Sequence, residues 1–161
     1  MVEKFMGEAL KQAKKALLKD EVPIGAVIVK DGKVIARAFN QMEKKKLPTA
    51  HAEILAIEKA CKRLKDWRLD GTSLFVTLEP CPMCAGAIVN ARIEKVYFGA
   101  YEPKSGSAES KFSVLTGSGL NHKTEYQGGI LKDECESLIK NYFKEKRLEK
   151  ALTKSGNRGK I

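Results

Sequence analysis

Three observations predict a three-layer α/β/α sandwich built on a mixed five-stranded sheet. An amphipathic helical pattern opens the chain and a lysine-rich one closes it. Between them, five short apolar runs are interleaved with two further helical stretches. The first two runs are joined by Asp31-Gly32, a hairpin signal, whereas the later ones are separated by helices, which favours parallel pairing. With 161 residues, 43% of them apolar, the chain is long enough for one domain with its own core.

Residues 2–19 place Val2, Phe5, Met6, Ala9, Leu10, Ala13, Ala16 and Leu17 three and four apart with lysines between, the mark of an amphipathic helix. Residues 22–29 read as a mostly buried strand and 34–39 as its return, followed by Asn40 and a polar loop over 41–48. Thr49 is the expected N-cap of a helix running to Leu64, with Ile54, Leu55, Ile57, Ala60, Cys61 and Leu64 toward the core. Asp70-Gly71 turns the chain into a strand over 73–78, a helix follows over 82–90, and 95–100 is a strand. Residues 101–121 are loop, with a short helix expected around 109–115. A strand over 123–127 precedes Gly128-Gly129 and a last helix over 131–151. The domain is therefore 1–152, and 153–161 a flexible basic tail. Trp67, Cys61 and Cys135 read as core residues.

The chemistry concentrates in Glu79-Pro80-Cys81-Pro82-Met83-Cys84. Four cysteines (61, 81, 84, 135) without a secretory signal or an apolar run of membrane-spanning length point to a reducing, cytoplasmic protein. In that setting Cys-x-x-Cys means metal or redox chemistry. Upstream, Thr49-Ala50-His51-Ala52-Glu53 supplies an imidazole and a carboxylate, for which a redox pair has no use. His51, Cys81 and Cys84 make three ligands for Zn²⁺, with the fourth position open to water, as in a catalytic site. Side chains two apart on a helix diverge by roughly 200°, so Glu53 is a poor co-ligand with His51. It is the expected proton shuttle. Both ligand groups stand at helix N-termini, where the dipole favours thiolate.

Lys and Arg number 30 against 20 Asp and Glu. Eight basic and two acidic residues fall between Lys140 and Ile161, which fits either a solvated surface or a phosphate-binding patch. Phe143 with Tyr142, Lys144, Lys146 and Arg147 suits base stacking combined with phosphate contact, and Lys104 lies in a basic loop of the same character.

His51-x-Glu53 with Pro80-Cys81-Pro82-Met83-Cys84 resembles the zinc deaminases of the cytidine-deaminase-like superfamily, whose established signature it carries. Together with Glu21-Val22-Pro23-Ile24-Gly25, Val76-Thr77-Leu78-Glu79 and Phe98-Gly99-Ala100, it is most similar to the bacterial tRNA-specific adenosine deaminases, over residues 3–150. The resemblance implies a cytidine-deaminase-like fold, one Zn²⁺ per subunit and a homodimer with active sites near the subunit interface. It implies hydrolysis of the wobble adenosine, position 34, of tRNA-Arg(ACG) to inosine, with Glu53 carrying the protons and ammonia released. The target base would be turned out of the anticodon stem-loop, with Asn40 hydrogen-bonding the nucleotide. His122, after Asn121, corresponds to a family Asn-His and is either an anticodon contact or a capping residue. Glu102 stands where the family carries an Asp beside the target ribose, one methylene shorter. A free-base or nucleotide deaminase for guanine, cytosine or dCMP shares the zinc motif but has no need of the basic C-terminal helix. A non-catalytic zinc-stabilised RNA-binding module leaves Glu53 without a role.

Overall fold

The computed structural model describes residues 1–117, 119–120 and 122–158. The elements in order are α1 (Val2–Leu18), β1 (Gly25–Lys30), β2 (Lys33–Phe39), α2 (Met42–Lys45), α3 (Ala52–Leu64), β3 (Thr72–Leu78), α4 (Pro82–Asn90), β4 (Lys95–Ala100), β5 (Glu125–Gln127) and α5 (Lys132–Arg158). The strands form one sheet in the order β2-β1-β3-β4-β5. β1 is antiparallel to both β2 and β3, whereas β3–β4 and β4–β5 are parallel. The expected mixed five-stranded sheet is present. Among the described residues, no helix is long and apolar enough to cross a membrane.

Strand alternation separates two cores. Ala26, Ile28, Leu74, Val76, Val96 and Phe98 face one side, under α3 and α4, and join Leu55, Ala56, Ala60, Ile88 and Val89. Val27, Val29 and Phe75 face the other side with Phe5, Met6, Ala9 and Leu10 of α1 and Cys135 of α5. Phe75 lies against Phe5, ring centroids 5.3 Å apart, and stacks on Tyr97 at 4.6 Å. Asp31 and Gly32 both take positive φ, 51° and 74°, as a tight hairpin with the twist of its strands requires.

Five local expectations are corrected. His51, not Thr49, is the N-cap of α3, because His51 is extended and its carbonyl accepts the first helical bond, from Leu55 N. The loop over 41–48 contains α2, whose first-turn amides are taken up by Glu21: Glu43 N and Lys44 N donate to its carboxylate at 3.0 and 2.9 Å. Residues 109–115 form turns rather than a helix, because the amides of Glu109 and Ser110 point to a side chain, Glu79. Trp67 is 60% exposed, beside the guanidinium groups of Arg68 and Arg92, and packs in no core. α5 is also longer than 131–151, since neither Gly nor Pro interrupts it before Gly156. Residues 159–161 of the expected tail lie outside the described residues.

α1 approaches the sheet closely at Gly25, where a Cβ would fall 2.1 Å from Ala9 O and 2.4 Å from Ala13 N. These are backbone atoms, so α1 itself would have to move. Gly25→Ala is expected to cost about 3 kcal/mol, seen as a Tm lower by roughly 10 °C. Gly7→Ala, in open space on the same helix, should instead stabilise by about 1 kcal/mol. Thermal denaturation of the two variants tests the packing; an unchanged Tm for Gly25→Ala would contradict it.

Candidate metal centre and nucleotide groove

Because β1 runs against both neighbours, β2, β3 and β4 share one direction and their carboxyl ends meet at one edge of the sheet. Chain leaves β2 into Asn40, β3 into Glu79-Pro80-Cys81 and β4 into Tyr101-Glu102 at that edge. Ligand sites in open α/β sheets form outside these carboxyl ends.

Cys81, in extended conformation, is the N-cap of α4 and Pro82 is the first helical residue, where its missing N–H costs nothing. Cys84 follows within the first turn, fully buried. His51 caps α3 in the same way, so two helix N-termini, each carrying partial positive charge, converge on the ligands. His51 Nδ1 lies 3.6 Å from Cys81 Sγ and 3.4 Å from Cys84 Sγ, and the three atoms fall within 4.8 Å of one another. A tetrahedral ion with metal–N and metal–S bonds of about 2.05 and 2.3 Å requires N···S edges of roughly 3.5 Å. The donor set fits such an ion.

Electrostatics agree with the assignment. The hydrogen bond from Cys84 brings Cys81 down to about 4, and the same contact with burial pushes Cys84 up. The hydrogen bond to Cys81 raises His51, against the opposing effect of burial. Glu53 is 4% exposed. Burial lifts its carboxyl to about 7, although its own backbone N–H and nearby His51 pull the other way. A carboxylate poised near neutrality beside three ligands can both accept and return a proton.

A cavity of about 180 Å³ opens on this group. Its wall includes Val22, Ile24, Asn40, Met42 and Ala52, with His51 and Glu53 exposed to it. Asn40 is fixed there: Oδ1 accepts from Met42 N at 3.2 Å and Nδ2 donates to Val22 O at 3.4 Å. At the same sheet edge, a groove of about 460 Å³ runs between the loop after β4 and α5. It is lined by Glu102, Lys104, Ile139, Lys140, Phe143 and Arg147. Four of the residues singled out in the sequence therefore share one groove. Phe143 is 43% exposed there, whereas Tyr142 turns toward Lys19, Glu21 and Lys44. Glu102 Oε1 accepts from Lys104 N at 3.0 Å.

A model of the MafB19-like deaminases matches residues 2–147. The tRNA-specific adenosine deaminase of Bacillus subtilis (strain 168) is 51% identical over 92% of either chain. That of Aquifex aeolicus (strain VF5) is 48% identical over 90% of this chain and 95% of its own. The chain belongs to the tRNA-specific adenosine deaminase family. A solved structure from a study of A-to-I editing by tRNA:A34 deaminases at the wobble position of transfer RNA is 45% identical and superposes with a TM-score of 0.81, covering 84% of this chain and 98% of the other. Guanine deaminase from Bacillus subtilis is 43% identical over 68% of this chain and 69% of its own, with a TM-score of 0.60.

One residue that the tRNA-specific adenosine deaminase resemblance selects is not brought to this edge. His122 precedes β5, which is parallel to β4, so it stands at the amino ends of the strands. Its Nε2 bonds Ile93 O at 2.9 Å, one strand length, roughly 20 Å, from the carboxyl edge. Sequence reasoning gave no role to Glu21 and Glu79, two buried carboxylates that hold loops around the site; each adjoins an apolar run, Glu21 before Val22 and Glu79 after Leu78, and that was the available signal.

Elemental analysis should find one metal ion per chain, lost in Cys84→Ala. Because ligands must shed protons to bind and His51 is raised above its ordinary value of about 6.5, metal affinity should fall as pH drops through that raised range. Titration with a chelator at several pH values reads this directly; an affinity independent of pH would exclude His51 as a ligand.

Proposed function

We propose that this chain is a Zn²⁺-dependent hydrolase that converts the wobble adenosine, position 34, of tRNA-Arg(ACG) to inosine with release of ammonia. The observation that carries the reading is Glu53: a buried carboxyl lifted to about 7, lining a cavity of base size beside His51, Cys81 and Cys84. A module without chemistry has no use for so costly a group. His51, Cys81 and Cys84 would hold the ion, which when bound would supply Lewis-acid activation of the attacking water. Glu53 takes one proton from that water and delivers it to N1 as oxygen adds to C6. It then carries the second proton from the new C6 hydroxyl to the amino group, the C6–N bond breaks, and ammonia leaves inosine behind. Val22, Ile24 and Ala52 provide the apolar wall that shields the base, and Asn40 has a second amide hydrogen to offer the flipped nucleotide.

The groove supports RNA over a free base. Lys104, Lys140 and Arg147 suit phosphates, and exposed Phe143 suits a stacked flanking base, with Glu102 next to the target ribose. The curated relatives are named for action on tRNA, and we extend this to the present chain as a cytoplasmic homodimer. The 43% identity to a guanine deaminase favours the free-base alternative, which the same experiment decides.

The test is inosine formation in a tRNA-Arg(ACG) anticodon stem-loop, with guanine, cytosine and dCMP assayed in parallel. Inosine should form from the stem-loop alone, and Glu53→Ala should retain the metal while losing about 10³-fold in rate or more. Turnover of a free base with an inert stem-loop would reverse the reading. Lys104→Ala and Arg147→Ala should each weaken stem-loop binding and reduce the slope of log K against log salt by about 1. A slope unchanged in both would remove the groove from the RNA path.

A further inference from the structure

Glu79 immediately follows β3, two residues before Cys81, and it is 2% exposed. Its carboxylate is surrounded by donors from a single distant segment. Oε2 accepts from the backbone amides of Ala108, Glu109 and Ser110 at 3.1, 2.9 and 3.0 Å. Oε1 accepts from Glu102 N at 3.1 Å and from the Ser110 hydroxyl. Three consecutive amides turned inward make an anion-binding nest of the kind that elsewhere holds phosphate, and here the chain's own side chain fills it. Gly106 records how tightly: a Cβ there would fall 2.4 Å from Glu79 Cδ and Oε1. Alongside, Ser107 N donates to Pro80 O at 2.8 Å, so the segment is fastened to the residue immediately before the metal ligand as well.

The segment 102–110 carries Glu102 and Lys104, one wall of the nucleotide groove, while Pro80-Cys81 carries the metal site. We propose that Glu79 is a positioning residue that fixes the groove wall in register with the base cavity, making substrate recognition depend on a carboxylate that touches neither substrate nor metal. The kinetic consequence rests on the RNA deaminase reading; the anchoring itself does not. Glutamate suits the position because a carboxylate only accepts, and all five neighbours donate. Glutamine keeps the shape but turns an N–H₂ toward N–H groups.

Glu79→Gln and Gly106→Ala approach the contact from opposite sides, so the second carries the test should the first not fold. In each, amides 102 and 108–110 should exchange hydrogen about 10-fold faster or more, with exchange in β3 and β4 unchanged and the metal content kept. On the stem-loop, kcat/KM should fall about 10-fold, carried by KM rather than kcat. A merely structural role would lower Tm and metal content together and leave KM alone. Unchanged exchange at 108–110, a loss confined to kcat, or loss of the metal would each overturn the proposal. A wild-type chain inert on RNA would defeat the functional reading only, and the exchange measurement would still decide the anchor.

Discussion

β1 runs antiparallel to both of its neighbours, and that single reversal lets β2, β3 and β4 point the same way. The hairpin at Asp31-Gly32 sends β2 back beside β1, and the long return through α3 brings β3 to its other side. Three chain exits therefore fall on one edge, carrying Asn40, Cys81 and Glu102. α3 and α4 start from the same edge, so their N-termini add the positive potential that two thiolates require. Had β1 paired parallel to β3, β2 would point the opposite way and Asn40 would leave the sheet at the far edge from Cys81. Gly25 makes this arrangement compact by letting the backbone of α1 close on β1 from the opposite face.

The metal motif, the order of elements and the mixed sheet were legible because each rests on short-range pattern. Cys81-Pro82-Met83-Cys84 specifies an N-cap, a first-turn proline and a second ligand within four residues, and His51-Ala52-Glu53 places one ligand and the proton shuttle at the start of α3. The misplacements share a different origin. His122 is singled out by its neighbour in sequence, but the parallel β4–β5 pairing delivers it to the amino edge, and pairing direction is a property of the sheet. Trp67 reads as core on side-chain type alone, although the turn before β3 leaves it outside both apolar faces. The turns over 109–115 take up amides that a local pattern would assign to a helix, because their acceptor lies some thirty residues back along the chain.

The groove shows where sequence reasoning succeeded for a reason it did not contain. Glu102, Lys104, Phe143 and Arg147 come from two segments about forty residues apart and were selected by composition and resemblance. They converge because α5 packs Cys135, Leu138 and Ile139 against the sheet face beside β4, whose end releases the 102–104 turn. An apolar stripe on one face of α5 thus aims its basic and aromatic residues. Lys146, bonded to Asp20 at 2.6 Å, belongs to the other side of the helix and faces the α1 end.

Three buried glutamates show how one residue type takes opposite roles here. Glu21 and Glu79 each accept hydrogen bonds from backbone amides of a loop bordering the site. For Glu79, burial alone would push the carboxyl up, but hydrogen bonds from Glu109, Ser110 and Glu102 outweigh it and hold it below its ordinary value. That group keeps its charge to lower pH than an ordinary glutamate and so can serve as an anchor. Glu53 is equally buried but lacks such a nest, and burial prevails, lifting it to about 7. Backbone amides spent on Glu79 would, if spent on Glu53, hold it ionised and useless for returning a proton. Several loop amides around Glu79, against the single backbone amide at Glu53, separate two carboxyls within one site, and that difference in environment assigns their roles.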